Sequence, residues 1–387
     1  MRYSDRILTT PSSFIRDILK VTQDPTVISF AGGLPNPISF PEEALKESAC
    51  RIIDENGGKV FQYSTTEGLL PLRQYIADKY NKNFGLNIKT DDVLITTGSQ
   101  QALDLIAKVL LNKGDRLIIE EPGYLGAIQA FCMFEPEFLP VTLEEDGLDL
   151  EKLEDALKQE RVKFAYVVPN FQNPSGLTYS KERREKICAL FEKYDTVLVE
   201  DDPYGELRFK GTHLPYIGAG KLAHSVVLGT FSKTVTPGMR LGYIITQDGE
   251  LMHHLVTAKQ SSDLHSNIFA QYLIEDYLAH NEYQSHVEKI TKLYRTQADA
   301  MLAAMKEFFP DNVKFTEPEG GMFIWVTLPE GVSSLDIFHK AMEKKVAFVP
   351  GDPFYANKHD VNTFRLNYTN STPEVIREGI KRLAEVL

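Results

Sequence analysis

The sequence predicts an α/β fold: a large domain with a mostly parallel sheet covered by helices on both faces, plus a smaller α+β domain. Between residues 93 and 246, short apolar runs such as Val93-Leu-Ile-Thr-Thr and Phe164-Ala-Tyr-Val-Val alternate with helical segments. Continuous apolar strands are typical of a parallel sheet that is buried on both sides. In the C-terminal third the strands alternate in polarity instead. The 387 residues are enough for one large and one smaller domain.

Helices are expected in the region before the first strand of the sheet. Residues 12–20 show an amphipathic helical pattern with a serine cap, and residues 41–54 and 70–81 are also helical in pattern. Between the first two of these, the run that starts at Ser29 contains too much glycine and proline for regular structure.

The remaining elements divide into two groups. Strands of the sheet are predicted to begin at Val93, Arg116, Phe164, Thr196 and Ser225, with a candidate sixth at residues 242–246. Helical patterns occupy residues 181–193, 266–279 and 283–308, and the last third adds strands from Met322 and Phe364 and helices from Leu335 and near Thr372. We therefore expect an N-terminal segment over residues 1–40, a large domain over 41–288 and a small domain over 289–387.

Composition and charge argue against several classes of function. The net charge of −12 disfavours nucleic acid as a partner. No apolar run is long enough to span a bilayer, and the residues after Met1 lack a signal-peptide pattern. Cys50, Cys132 and Cys188 are scattered, which is typical of a protein in the reducing cytoplasm. The histidines are dispersed, so we expect no metal site.

The stretch from Thr230 to Tyr243 carries the first indication of chemistry. It contains one lysine, Lys233, and one arginine, Arg240, between two apolar runs, and a Pro-Gly pair prevents a continuous helix. An unprotonated lysine amine can form an imine with a carbonyl, and an arginine with several hydroxyls suits a phosphate. Pyridoxal 5′-phosphate requires both of a protein. Taken alone, the stretch also fits an ordinary polar surface hairpin.

Polar residues follow three other predicted strands, at the edge where parallel sheets bind ligands. Gly98-Ser-Gln opens a helix, whose free backbone N–H groups favour an anion. Asn173 lies in an Asn-Pro-Ser-Gly turn, where its amide can reach a ligand hydroxyl or phenolate oxygen. Asp201 follows a buried strand and precedes Tyr204 by three residues. A buried carboxylate that faces a pyridine nitrogen keeps that nitrogen protonated.

Each of these signals has a structural alternative. Ser99 can serve as a helix cap, the Asn-Pro-Ser-Gly sequence makes turns in many proteins, and acidic loop residues are commonly solvated. The four signals nevertheless fall on successive strand ends, so we expect them to form one site.

In their order along the chain, these motifs resemble the fold-type I, class I and II aminotransferases, which depend on pyridoxal phosphate. The matching motifs are Gly98-Ser-Gln, Asn173-Pro-Ser-Gly, Asp201-x-x-Tyr204, Ser232-Lys233 with Arg240, and Phe364-Arg-Leu. The resemblance runs from about residue 12 to the end of the chain. Residues 12–20, Gly32-Gly-Leu-Pro and Glu200-Asp-Asp-Pro-Tyr are similar to the aromatic, 2-aminoadipate and kynurenine aminotransferases.

The resemblance implies how the cofactor would be held. Lys233 would form the imine with it, Asp201 would pair with the pyridine nitrogen, and both Asn173 and Tyr204 would bond the phenolic oxygen. The phosphate would be held by Ser99, Gln100, Ser232 and Arg240, with Thr230 where many relatives have serine. Catalysis would rest on Lys233, Asp201 and Tyr204.

Two further tyrosines match the family pattern. Tyr124 resembles the aromatic residue that stacks on the cofactor ring, although a core tyrosine is the alternative. Tyr63 resembles the tyrosine that reaches the phosphate of the other subunit, which implies a homodimer.

The resemblance also implies the substrates, an amino acid and a 2-oxo acid such as 2-oxoglutarate. Arg365 resembles the arginine that binds the substrate α-carboxylate, with Asn173 and Gly33 beside it. Arg16 matches a residue that meets an acidic side chain or moves aside for an aromatic ring. Its alternative is a solvated helix arginine.

Two other activities use the same scaffold. β-Elimination or decarboxylation would need the same motifs, because the outcome depends on fine orientation. A pyridoxal-phosphate-sensing domain of a transcription regulator would be preceded by a basic winged-helix segment. The N-terminal helix expected from about residue 12 and the acidic balance of the chain disfavour that reading.

Overall fold

Strands and helices alternate along most of the chain, which the computed structural model describes over residues 3–10 and 24–387. The strands are β1 Ile28–Ser29, β2 Val93–Thr96, β3 Arg116–Glu121, β4 Glu137–Glu144, β5 Gly147–Leu148, β6 Val162–Val167, β7 Val197–Asp201, β8 Ser225–Thr230, β9 Gly242–Ile245, β10 Lys314–Phe315, β11 Phe323–Thr327, β12 Val346–Ala347, β13 Val349–Pro350 and β14 Thr363–Asn367. The α-helices are Asp5–Thr9, Glu42–Asn56, Leu70–Phe84, Gly98–Leu110, Leu125–Cys132, Leu150–Leu157, Lys181–Tyr194, Gly249–Ser262, Ile268–His280, Tyr283–Phe308, Ser334–Glu343 and Pro373–Ala384. Short 3-10 helices are Pro37–Ser39, Gly57–Phe61, Thr90–Asp92 and Asp352–Phe354.

An eight-stranded sheet in the order β2-β9-β8-β7-β6-β3-β4-β5 forms the centre of the described chain. Strands β8, β7, β6, β3 and β4 pair in parallel, whereas β9 is antiparallel to both of its neighbours and β5 is antiparallel to β4. The predicted mostly parallel sheet is therefore confirmed. So is the candidate sixth strand, which is β9.

Several strands and helices were not predicted, namely the strands β1, β4, β5, β10, β12 and β13 and the helices Asp5–Thr9, Leu150–Leu157 and Gly249–Ser262. Strand β4 is only half-buried and contains Pro140, so it lacks the continuous apolar run that identified the other strands. β5 has only two residues. The helix Gly249–Ser262 contains two adjacent histidines and several other polar residues, and Asp248 caps it by accepting from the backbone of Glu250 and Leu251.

The direction of the strands brings distant segments to one edge of the sheet. The parallel strands all end at the same edge. Because β9 runs in the opposite direction, its first residue lies at that edge, where Gly242 pairs with Thr230 at the end of β8. The residues just before β9, including Arg240, therefore lie beside the residues that follow the parallel strands.

The C-terminal part contains a second, antiparallel sheet in the order β10-β11-β14-β13. The predicted strands from Met322 and Phe364 correspond to β11 and β14, and the closing helix Pro373–Ala384 has Thr372 as its N-cap. In this sheet Arg365 pairs with Trp325 on one side and Val349 on the other. The predicted boundary at residues 288 and 289 falls inside the helix Tyr283–Phe308, and the division into domains stays a prediction.

One continuous apolar cluster joins the two sheets and the helices between them. It includes Leu94 and Val199 from the large sheet, Tyr294 from the long helix, and Ile324 from the small sheet. The N-terminal segment joins this cluster through Phe30, and β1 pairs in parallel with β12. Along the described part of the chain, no helix has an apolar stretch long enough to cross a membrane.

Candidate active site

A cavity of about 330 Å³ lies where the ends of the parallel strands meet the N-terminal segment and the small sheet. Most of the predicted site residues line it: Gly33, Ser99, Gln100, Tyr124, Asn173, Asp201, Tyr204, Ser232, Lys233, Arg240 and Arg365. The fold thus brings side chains from residue 33 to residue 365 into one space. Arg16 lies outside the described residues, and no group of residues in the described ranges forms a candidate metal site.

Lys233 projects into this cavity from the turn that follows β8. Its Nζ donates a hydrogen bond to the carbonyl oxygen of Gly33 at 2.9 Å. Burial lowers the pKa of the Lys233 amine to about 8, and the positive charges of Arg365 and Arg240 act in the same direction. Near neutral pH, a larger fraction of this amine is therefore unprotonated than of an ordinary lysine.

Asp201 is a buried carboxylate at the end of β7. Its Oδ2 accepts a hydrogen bond from the Tyr166 hydroxyl at 2.7 Å, while its Oδ1 is buried without a partner among the described residues. Burial raises the pKa of Asp201 to about 7; the Tyr166 hydrogen bond opposes this rise, and the charges of Asp202 and Glu120 add to it. The free Oδ1 can accept a hydrogen bond from a ligand.

Asn173 connects two other predicted site residues. Its Nδ2 donates to the Tyr204 hydroxyl at 3.1 Å, and its Oδ1 accepts from Nη1 of Arg365 at 2.7 Å. Arg365 also donates from Nη2 to the carbonyl oxygen of Ala31 at 2.9 Å. Burial lowers the pKa of the Arg365 guanidinium to about 10, and its buried Nε has no partner among the described residues. An anion in the cavity would complete its hydrogen bonding.

The start of the helix Gly98–Leu110, together with Arg240, forms a candidate binding site for an anion. Ser99 Oγ is buried without a partner in the described chain, at a helix terminus whose first N–H groups have no intrahelical acceptor. Gly98 has φ +72°, and a Cβ there would lie 2.5 Å from Nη2 of Arg240, so glycine permits the close approach of the guanidinium. Ser232 accepts from Nη1 of Arg240 at 3.5 Å, and Thr230 donates to Ser232 at 3.0 Å.

Of the remaining predicted residues, Tyr124 and Gln100 line the cavity and Tyr63 does not. Tyr124 lies half-buried in the cavity wall, directly before the helix Leu125–Cys132, and Gln100 donates to the Gly126 carbonyl at 3.2 Å. Tyr63 lies outside the cavity and is 79% exposed, with its ring edge against His265.

Several residues of the site were not singled out from the sequence. Tyr166, the partner of Asp201, lies inside a buried strand whose apolar run identified only the strand. Phe323 on β11 packs 4.2 Å from the Arg365 guanidinium, and Phe354 lies 5.1 Å from it on another side. Alternating polarity marked β11 as a strand but did not indicate which of its faces meets the cavity.

A second cavity, of about 420 Å³, shares Thr230 and Pro203 with the first. Its acidic residue Asp202 already accepts hydrogen bonds from a tyrosine and an asparagine, and Lys79 pairs with Glu206 at 2.6 Å. Because these charged groups already have partners, we assign the chemistry to the first cavity, where Asp201, Ser99 and Arg365 retain unpaired atoms.

Comparison with known proteins gives one consistent family. The family model for aminotransferase class I and II matches residues 36–383. The aromatic-amino-acid aminotransferase 1 of Thermococcus litoralis is 43% identical over 391 residues, which cover 100% of this chain and 94% of the relative.

Solved structures of similar proteins agree. The kynurenine aminotransferase of Pyrococcus horikoshii, solved in complex with PMP, has a TM-score of 0.95 and 43% identity, covering 99% of this chain and 96% of that one. The α-aminoadipate aminotransferase of Thermus thermophilus, complexed with N-(5′-phosphopyridoxyl)-L-leucine, has a TM-score of 0.93 and 40% identity, covering 100% and 97%. These likenesses confirm the predicted fold class.

The raised pKa of Asp201 predicts the pH dependence of stability in the ligand-free protein. Between pH 3.8 and about 7, the folded chain holds a proton on Asp201 that the unfolded chain releases, so stability falls as the pH rises through this window. Asn cannot ionise, and its Oδ1 still accepts from Tyr166. Asp201→Asn should therefore raise the thermal midpoint at pH 8, by the equivalent of at most about 4 kcal/mol. This gain should shrink as the pH falls toward 4.

Asp248→Asn is the matched control. Although burial opposes the effect, hydrogen bonds from Leu251 N and His224 lower the pKa of Asp248, so its ionised form is stabilising. The control should lose stability at pH 8. A loss of thermal midpoint at pH 8 in both variants would contradict the account of Asp201.

Proposed function

The chain belongs to the class I and II aminotransferase family, and on that premise we propose that it moves the amino group of a bulky L-amino acid, aromatic or 2-aminoadipate-like, to a 2-oxo acid such as 2-oxoglutarate. It is an aminotransferase that depends on pyridoxal phosphate. The observation that carries the proposal is one cavity that contains Lys233, Asp201 and Arg365 together. The 43% identical relative is named for transamination, which favours this reaction over β-elimination, decarboxylation or sensing.

The residues of the cavity fit pyridoxal phosphate. The unpaired Oδ1 of Asp201 suits a protonated pyridine nitrogen, and the unpaired Ser99 Oγ beside Arg240 suits a phosphate. We assign the phosphate to Ser99, Gln100, Ser232 and Arg240, the phenolic oxygen to Asn173 and Tyr204, and the ring face to Tyr124. When bound, the cofactor supplies an electron sink for the charge that develops as the substrate loses its α-proton.

Lys233 is the proposed proton carrier. Its amine, with a pKa lowered to about 8, can take the substrate α-proton on Nζ and later return it. The carbonyl of Gly33, which accepts from Nζ at 2.9 Å, holds the amine in position in the ligand-free protein. Asp201, which is 2% exposed, would provide the negative charge that keeps the pyridine nitrogen protonated.

Arg365 is the proposed ligand of the substrate α-carboxylate. Its guanidinium is held by Asn173 and the Ala31 carbonyl and packs against Phe323, and its Nε is free to donate. A guanidinium that is fixed before binding loses little entropy when it forms a bidentate pair. The amino acid and the accepting 2-oxo acid would bind Arg365 in turn, because the 2-oxo acid product leaves before the second 2-oxo acid enters.

We also propose a cytoplasmic homodimer in which Tyr63 completes the site of the other subunit. Tyr63 is 79% exposed, and in the same stretch of the chain Phe61 and Leu70 are 67% and 62% exposed, respectively. Such a concentration of exposed apolar side chains is typical of a surface that another chain covers. The three cysteines are free, as the reducing cytoplasm requires.

Lys233→Ala tests the proton carrier. The variant should bind pyridoxal phosphate through the phosphate and ring contacts, but turnover should fall by at least about 10²- to 10⁴-fold, because no other amine lines the cavity in the described chain. The measurements are cofactor content by absorbance and the rate of 2-oxo acid production.

Lys79→Met is the control, since Lys79 is half-buried like Lys233 but lies in the second cavity with Glu206. It should keep most of the wild-type turnover. Near-normal turnover in Lys233→Ala would rule out the proposed role.

Mixed dimers test the position of Tyr63. Tyr63→Ala alone should weaken cofactor binding by about tenfold, as expected for one lost hydrogen bond to a phosphate. A dimer of one Tyr63→Ala chain and one Lys233→Ala chain has one site with Lys233 from the first chain and Tyr63 from the second. It should therefore show about half the activity of a wild-type dimer. That activity should need no more cofactor than wild type, and a requirement about tenfold higher, as in the Tyr63→Ala homodimer, would contradict a site shared between subunits.

A further inference from the structure

Glu120 is a buried carboxylate next to the cavity, with no place in the mechanism above. It lies on β3, is 2% exposed, and accepts three hydrogen bonds. Its Oε1 accepts from the Tyr179 hydroxyl at 2.6 Å and from the backbone N–H of Val168 at 2.9 Å. Its Oε2 accepts from Nε2 of Gln172 at 2.8 Å.

All three donors belong to the loop that begins after β6 and carries Asn173. The side chain of Gln172 makes two further hydrogen bonds. Its Nε2 also donates to the Pro122 carbonyl at 2.8 Å, and its Oε1 accepts from the backbone N–H of Ser175 at 2.8 Å. Glu120 therefore fixes both ends of the loop around Asn173. Through Gln172 it also connects this loop to the segment that leads to Tyr124.

We propose that Glu120 is a positioning residue for substrate binding, which acts through Gln172 on Asn173 and so on Arg365. The proposal rests on the proposed role of Arg365 as the carboxylate ligand. Asn173 accepts from Arg365 at 2.7 Å and is adjacent in sequence to Gln172. A displacement of the loop thus removes one of the two hydrogen bonds that orient the guanidinium.

The donor pattern fits a carboxylate at this position better than an amide. Three donors form hydrogen bonds to its two oxygens. The group that bonds to Oε2 is the Gln172 amide nitrogen, a donor, so a hydrogen on Oε2 would find no acceptor there. A glutamine at residue 120 would keep its oxygen toward Val168 and Tyr179. Its amide would then face the Gln172 amide, donor against donor. The disruption would fall on the contact that leads to Asn173.

Glu200 offers a matched comparison on β7, which β6 separates from β3 in the same sheet. It is 0% exposed and accepts from the backbone N–H groups of Ile217 and Gly218, at 2.7 and 2.8 Å. Those residues do not line the cavity. Glu200→Gln therefore removes a buried carboxylate in the same way, but without a connection to Asn173 or Arg365.

The test measures how tightly the holoenzyme binds an unreactive carboxylate. Isothermal titration calorimetry with 3-phenylpropionate and glutarate gives the Kd for wild type, Glu120→Gln and Glu200→Gln, alongside thermal midpoint and cofactor content. Both variants should lose thermal stability and retain the cofactor. Only Glu120→Gln should raise the Kd of the tighter probe, by about tenfold, with a matching rise in the KM of amino donors.

The outcomes separate this inference from the proposed function. An equal Kd for both variants would overturn the role of Glu120 and leave that of Arg365 intact. If wild type bound neither probe, the carboxylate role of Arg365 would fall, and the inference with it. Should Glu120→Gln fail to fold, Gln172→Met breaks the same connection without a donor clash. It should raise the Kd by a similar factor, and an unchanged Kd there would overturn the proposal.

Discussion

Burial of charged groups with incomplete hydrogen bonding is the constraint on which the rest of the structure depends. Burial raises the pKa of Asp201 to about 7, and lowers the pKa of Lys233 to about 8 and that of Arg365 to about 10. Each shift favours the neutral form of the group, so a charge on that group lowers the stability of the folded chain. A ligand with a phosphate, a protonated ring nitrogen and a carboxylate would supply the missing partners. The cavity is thus less stable by itself than it would be when filled.

The fold supports these groups with backbone atoms from separate segments. The N-terminal segment supplies the carbonyl oxygens of Ala31 and Gly33 to Arg365 and Lys233. That segment is held in place because β1 pairs with β12 and Phe30 lies in the apolar cluster. Carbonyl oxygens can stabilise a cation without neutralising it. Arg365 and Lys233 therefore stay available to an incoming anion or carbonyl.

The sequence was most informative where function depends on residues that directly follow a strand. Ser99, Asn173, Asp201 and Lys233 were identified in this way, because parallel strands end at one edge. Contacts between distant segments had no such signal: Tyr166 lies inside an apolar run, and Glu120 belongs to no motif although it lies near the end of β3. Strand β4 was missed because it is half-buried and contains a proline. The domain division and the individual roles of the site residues stay predictions.

The most direct test of the central claim follows the visible absorbance of the purified protein with bound pyridoxal phosphate. Single L-amino acids, aromatic or acidic, are added without any 2-oxo acid. The yellow band should disappear, and an equimolar amount of the matching 2-oxo acid should appear in solution. A yellow band that persists with every donor would contradict transamination, and failure to take up pyridoxal phosphate at all would contradict the assignment of the cavity.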